Sequence, residues 1–325
     1  MPDVDVEALT DLRTPWCIHV AVTLRIAEHV DAGVTRVEDL AQATDSDPFT
    51  LGCLLNTLIG KGIFEEPTPG SYALNEPARA LMSPPMRLGC DLNGIGGRMA
   101  HVWGTMLEYV QTGKTAYASR FGTPFWDDLA AHPNVAASFD DLLGAVGHGT
   151  PSGEFEISGR WAAIKHVVDV GGGKGEMLVE ILRLHPHVRG TLVEMPHAAH
   201  AALEVFEAAE LGYRAEAIGR SFFEPLPNGA DLYVMRKVLN NWPDAQALAL
   251  LKNCAEAALP NGRIAILGSV CEDDARRDIE VDMMLVGGKP RTVSELRTLA
   301  NAAGLEIVDA RPQPNGYFVT ELRPI

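Results

Sequence analysis

Apolar residues recur at helical spacing through the first third of the chain. Residues 15–31 carry Ala21, Leu24, Ala27 and Val30 three apart and stop at Gly33, which predicts one helix. Thr35, with Glu38 three residues on, reads as a capping box opening a short helix with Val37, Leu40 and Ala41 inward. Asp47-Pro48 reads as a cap followed by proline at the first helical position. Leu51, Leu54, Leu55 and Leu58 then share one face, and Gly60-Lys61-Gly62 ends that helix. Ile63–Glu65 and Ser71–Leu74 flank the turn Pro67-Thr68-Pro69-Gly70 and predict a small hairpin. Three helices and a hairpin make a winged-helix pattern. Residues 98–148 keep the helical period, with Trp103, Leu107, Phe125, Trp126, Leu129, Phe139 and Leu142 supplying apolar faces.

From residue 151 the pattern changes to alternating strands and helices, which predicts an α/β domain. Strands are expected at 167–170, 189–193, 214–218, 231–236, 263–270, 306–311 and 317–322. A helix at 243–258 buries Leu248, Leu251 and Cys254. Another at 293–303 opens with the capping box Thr292-x-x-Glu295 and closes at Gly304. The last two strands join through Pro314-Asn315-Gly316 as a hairpin.

Composition narrows the function. The chain has 325 residues, a net charge of −16 and a pI near 5.0. Such an acidic balance argues against nucleic acid and anionic membrane as partners, since both want basic patches. The helix 48–61, where a DNA-reading winged helix would carry cations, is almost free of them, so a dimerisation role is the better reading. No apolar run approaches the ~20 residues of a membrane span, and the acidic start lacks a signal-peptide core. Cys17, Cys53, Cys90, Cys254 and Cys271 are odd in number and scattered, as expected for reduced thiols in a cytoplasmic protein.

The candidate chemistry starts at 167–178, Val-Val-Asp-Val-Gly-Gly-Gly-Lys-Gly-Glu-Met-Leu. A strand feeding a glycine turn and then a helix opens a nucleotide-binding β-α-β unit. The dinucleotide spacing G-x-G-x-x-G fails in both registers, because Glu176 or Leu178 falls at the third glycine. What fits is G-x-G-x-G at Gly171, Gly173 and Gly175, which looks like the S-adenosylmethionine (SAM) loop of methyltransferases, whose ligand carries no phosphate. Glu194, at the end of the next strand, stands where an acid accepts hydrogen bonds from a ribose diol.

Six pieces together resemble the small-molecule O-methyltransferases of the hydroxyindole, plant-phenolic and bacterial polyketide-tailoring type. They are residues 40–64, 123–143, 167–178, 190–196, 221–244 and 260–267. The resemblance implies a winged-helix dimerisation domain over 1–95, a helical connector over 96–150 that contributes to the acceptor pocket, and a Rossmann-like seven-stranded SAM-binding catalytic domain over 151–325. It implies a homodimer, SAM as cofactor and a small-molecule acceptor. His197-x-x-His200 and His185-Pro186-His187 have no paired acid or thiol at ligand spacing, so no metal is expected. Asp169, Gly171 and Gly173 would line the methionine part, Glu194 the ribose, and Met195, Ser221, Phe222 and Trp242 the adenine, with Arg236 on the sulfonium side.

The chain departs from that family where catalysis is done. Members with a histidine base read Leu-His-Asp-Trp; here the run is Leu239-Asn240-Asn241-Trp242. Asn240 holds the place of the base, and an amide accepts no proton near neutral pH. The family often reads G-G-x-E-R-T, whose glutamate steadies that histidine and completes a base dyad; here residues 287–292 put Pro290 at its place. Asn240 and Asn241 are therefore expected to orient the acceptor rather than deprotonate it. His101, His148 and Asp282 are the other candidate proton acceptors. Three functions stay open at this point: methyl transfer without a base, a SAM-binding decarboxylase-hydroxylase or cyclase of the same fold, and a dimer that binds SAM or another ligand without catalysis.

Overall fold

A left-handed residue breaks the first expected helix in two. In the computed structural model, which describes residues 4–6, 8–145, 153–158 and 161–325, helices run over Arg13–Thr23 and Ile26–Asp31. Arg25 sits between them at φ 56, a conformation that ends an α-helix. The chain forms two compact units, Met1–Leu107 with Ala118–Val146, and Glu108–Tyr117 with Gly147–Ile325.

In the first unit the capping box at Thr35 does not form. The helix starts at Val37, with Arg36 in the cap position and no side-chain cap. The Val37 N–H donates instead to the Gly70 carbonyl at 3.0 Å, and the Thr35 carbonyl accepts from the Tyr72 N–H at 2.9 Å. Pairing with the hairpin satisfies the helix's first orphan donor, so the hydroxyl is not needed there. Asp47 does cap the helix Pro48–Ile59, accepting from the Thr50 N–H at 2.8 Å. The hairpin strands are β1 (Glu65–Thr68) and β2 (Ser71–Ala73), so β1 lies nearer the turn than expected. Ile26, Leu40, Leu55, Leu58 and Phe64 form the centre of this core. Further along, the rings of Phe125, Trp126 and Phe139 meet edge to face between the helices Phe125–Ala131 and Pro133–Ala145.

The second unit is built on β3 (His166–Val170), β4 (Arg189–Glu194), β5 (Ala215–Gly219), β6 (Leu232–Arg236) and β7 (Arg263–Leu267). Next come β8 (Val270–Cys271), β9 (Arg291–Thr292), β10 (Leu305–Pro312) and β11 (Phe318–Pro324). A seven-stranded sheet has the order β10-β11-β7-β6-β3-β4-β5, and β8 pairs with β9 apart from it. The central strands are parallel, while β11 runs antiparallel to β7 and β10. Parallel strands covered on both faces read as unbroken apolar runs, and β3 is buried at every position. The strand expected at 263–270 is interrupted by Gly268 at φ 71 and resumes as β8. The helix Val293–Ala302 has both halves of its Thr292–Glu295 capping box.

Strand β11 lies late in the chain but inside the sheet. Its Glu321 is 1% exposed and accepts from the Ser158 N–H and hydroxyl, both at 2.6 Å, and from Arg263 at 3.0 Å. The chain steps outward from β3 through β4 to β5, then returns to β6 on the other side of β3. That reversal puts the topological switch point at the carboxyl ends of β3 and β6, the place where open α/β sheets bind ligands.

Candidate active site

The loop leaving β3 turns on glycines in left-handed conformations, with Gly171 at φ 73 and Gly173 at φ 59. A Cβ at Gly171 would lie 2.9 Å from Val238 Cγ2 and 3.4 Å from the Phe222 ring, so backbone alone fits between them. One at Gly172 would fall on the Asp169 carboxylate, which is tucked directly beneath the loop. Asp169 is fully buried, and neither of its oxygens has a hydrogen-bond partner among the described residues. Burial pushes its pKa up to about 7; the Arg236 guanidinium pulls against that shift and the Glu194 carboxylate adds to it. Strand register explains their proximity. Asp169 pairs with Leu192 of β4 and Val234 of β6, and Glu194 and Arg236 lie two residues beyond those partners at the strand ends.

Glu194 accepts from the Met195 N–H at 2.6 Å, and Met195 is exposed at the start of the helix Pro196–Ala208. The Ser221 hydroxyl accepts from the Phe223 N–H at 3.2 Å, closing the turn after β5. Phe222 and Phe223 pack against Trp242 edge to face, with centroids 6.0 and 4.8 Å away. The glycine loop, Phe222 and Trp242 thus form one continuous wall.

After β6 the chain makes a tight turn. Lys237 is left-handed at φ 55, and Leu239–Asn241 form a single 3-10 turn. The Asn240 Oδ1 accepts from the buried Ser269 hydroxyl at 2.9 Å, while the Asn241 Nδ2 donates to the Lys237 carbonyl at 3.1 Å. Arg291 is completely buried and donates to Asp244 and to the carbonyls of Leu239, Trp242 and Lys289. Asp282 is half-buried in the first turn of the helix Val281–Val286.

His101 belongs to the first unit. Its Nδ1 lies 3.4 Å from Arg120 and its ring centroid 5.2 Å from that of Trp16. Burial and then the Arg120 charge lower its pKa, which disfavours the protonated ring. His148 lies outside the described residues. Among those residues no cluster of three or more His, Cys, Asp or Glu is arranged to hold a metal ion. Sequence reasoning missed Ser269, Asp244 and Arg291, because contacts between distant segments leave no local pattern.

A buried carboxylate under a glycine turn, without a partner among the described residues, fits a ligand that brings its own donors, such as an ammonium group. An acid at the end of the neighbouring strand fits a ribose diol. Together on a doubly wound sheet with an antiparallel final strand, they define a nucleoside-binding catalytic domain of the methyltransferase class. Comparison with known proteins makes this specific. Residues 103–306 match the O-methyltransferase domain model and residues 6–84 the O-methyltransferase dimerisation domain model. The chain belongs to this family of SAM-dependent O-methyltransferases.

A 2,7-dihydroxy-5-methyl-1-naphthoate 7-O-methyltransferase of Streptomyces carzinostaticus is 37% identical over 316 residues, covering 95% of this chain and 94% of that protein. The aclacinomycin 10-hydroxylase RdmB of Streptomyces purpurascens is 36% identical over 326 residues, covering 95% and 86%. Among solved structures, NcsB1, an O-methyltransferase from neocarzinostatin biosynthesis, superimposes with a TM-score of 0.87 at 34% identity over 100% of both chains. It was crystallised with SAM and 2-hydroxy-5-methyl naphthoic acid.

Proposed function

We propose that this enzyme methylates a hydroxyl of a small aromatic natural product, a hydroxynaphthoate-like acid being the acceptor class, by proximity and without a general base. The observation that carries the reading is the buried Asp169 carboxylate beneath the glycine loop, without a hydrogen-bond partner among the described residues. Bound SAM supplies a methyl group on a sulfonium whose leaving group is a neutral thioether. Asp169, Gly171 and Gly173 hold the methionine part, Glu194 the ribose, and Met195, Ser221, Phe222 and Trp242 surround the adenine. Arg236, on the sulfonium side, lowers the cost of ionising Asp169 when the ligand's donors arrive.

Asn240 offers its Nδ2 to the acceptor oxygen, because Ser269 already engages its Oδ1. Asn241 serves the turn through Lys237. Holding the acceptor in line is worth ~7–11 kcal/mol of the barrier, against the ~10²–10⁴-fold that a base would add. An acceptor hydroxyl that ionises by itself near neutral pH needs no such base. The N-terminal domain works as a winged-helix dimerisation module. Leu9, Leu12 and Phe49 are exposed on it, and Leu12, Trp16, Cys17, Val20 and Leu54 line an apolar groove.

Calorimetry with SAM and S-adenosylhomocysteine, followed by assay of S-adenosylhomocysteine release with 1,4-dihydroxy-2-naphthoic acid, tests the reading. Absence of cofactor uptake by folded protein refutes it. A second reading has a specific observation behind it: a relative at 36% identity is a hydroxylase, and both residues of the family's base dyad are replaced here. Oxygenated or decarboxylated product with SAM left intact would favour that reading.

A further inference from the structure

Two segments far apart in sequence are joined with almost no freedom beside the proposed acceptor site. One is the turn 238–244, which carries Asn240, Asn241 and Trp242. The other is the run 287–292, which includes Pro290 where the resemblance led one to expect a glutamate. A Cβ at Gly288 would fall on the Asn240 carbonyl, and it would lie 2.9 Å from Asn241 Cα, so only glycine lets the backbones approach this closely. The Lys289 N–H donates to the Asn240 carbonyl at 2.9 Å.

Arg291 completes the join. A guanidinium carries five N–H donors in a fixed plane. Here Nε and Nη2 both reach Asp244 Oδ1, at 3.0 and 2.9 Å. Nη2 also reaches the Trp242 carbonyl at 2.7 Å, and Nη1 reaches the carbonyls of Leu239 and Lys289, both at 3.0 Å. Five bonds leave five donors, and the side chain is 0% exposed. Three carbonyls of the turn, those of Leu239, Asn240 and Trp242, are therefore fixed by one short run of chain. A lysine has three hydrogens on a single nitrogen and cannot span these acceptors.

We propose that Arg291 is a positioning residue for methyl transfer: it holds the 239–242 turn so that Asn240 and Trp242 meet acceptor and cofactor in one fixed arrangement. The proposal rests on the methyl-transfer reading above for its kinetic consequence. Its structural part does not. With no base to supply rate, geometry carries the reaction, and a displacement of about 1 Å costs about 10²-fold.

The test compares wild-type protein with Arg291→Lys by three measurements. Backbone amide hydrogen exchange, without ligand, should rise in 238–244 and 287–292 and stay unchanged in 166–194. SAM affinity by calorimetry should fall far less than kcat, because the glycine loop, Asp169 and Glu194 are untouched and Trp242 is the one cofactor-facing side chain on the turn. The kcat for 1,4-dihydroxy-2-naphthoic acid should fall about 10²-fold, with KM changing much less. Wild-type kcat in folded Arg291→Lys overturns the proposal. So does a parallel loss of SAM affinity and of protection throughout the unit, which would mark a general packing role. If Arg291→Lys does not fold, Asp244→Asn removes part of the same clamp and should give the same pattern at smaller size; a flat result there overturns the idea. If the wild type binds SAM but releases no S-adenosylhomocysteine, the methyl-transfer reading fails. The clamp then stands or falls on whether exchange rises locally.

Discussion

Asp169→Asn separates what the site does to stability from what it does for binding. In the folded protein burial pushes the carboxyl pKa up to about 7, against an ordinary aspartate value of 3.8. A raised carboxyl pKa means that folding favours the protonated form. Relative to a neutral side chain, the penalty is absent below pH 3.8, grows as the pH rises, and is complete above about 7. Three units at 1.36 kcal/mol each make that penalty roughly 4 kcal/mol at pH 8 and under 2 kcal/mol at pH 5. Asparagine keeps the shape and carries no charge.

Urea unfolding at the two pH values should therefore show Asp169→Asn more stable than wild type, with the advantage larger at pH 8 by about 2–3 kcal/mol. The same variant should lose SAM binding in calorimetry. In the wild type, SAM affinity should weaken as pH falls below about 7, because the carboxyl must give up its proton to receive the ligand's donors. An advantage that does not depend on pH, or a variant that binds SAM as well as wild type, refutes this account.

Asn240→Ala should lower turnover about tenfold, the scale of one lost hydrogen bond of ~1–1.5 kcal/mol, and leave SAM affinity nearly intact; unchanged turnover in single-turnover assays removes Asn240 from the reaction. Gly171→Ala places a Cβ at φ 73 and against Val238, so denaturant unfolding should show ~1–2 kcal/mol less stability, with weaker SAM uptake; wild-type values for both would contradict the close approach. Leu12→Asp puts a charge on an apolar surface that is 74% exposed in the single chain, and sedimentation should find monomer in place of dimer. A dimer that persists at micromolar concentration would move the interface elsewhere.

The sheet was legible because its strands are buried on both faces. Val167, Val168 and Val170 announce β3 as plainly as Leu192 and Val193 announce β4. The glycine loop and Glu194 were legible because their spacing is local. What stayed hidden depends on partners that meet through the fold. Thr35 had the right sequence for a capping box, yet the hairpin took the helix's first N–H. Nothing around Arg25 marks it as left-handed, and nothing in Lys289-Pro290-Arg291 tells that the arginine is fully buried and bonded to the Leu239 and Trp242 carbonyls. That an asparagine stands where relatives with a base carry histidine could be read directly at Asn240, but the hydroxyl that orients that amide is 29 positions away, at Ser269.

Strand β11 lies between β7 and β10, and its Glu321 ties down both Ser158 and Arg263. The unit that grips the cofactor therefore cannot close during synthesis until residues 318–324 have left the ribosome. Until then β7 presents a bare edge of apolar Ile264, Ile266 and Leu267. A chain cut before residue 318 would keep the glycine loop and Asp169 in its sequence and still expose that edge, so it is expected in inclusion bodies rather than as a smaller working enzyme.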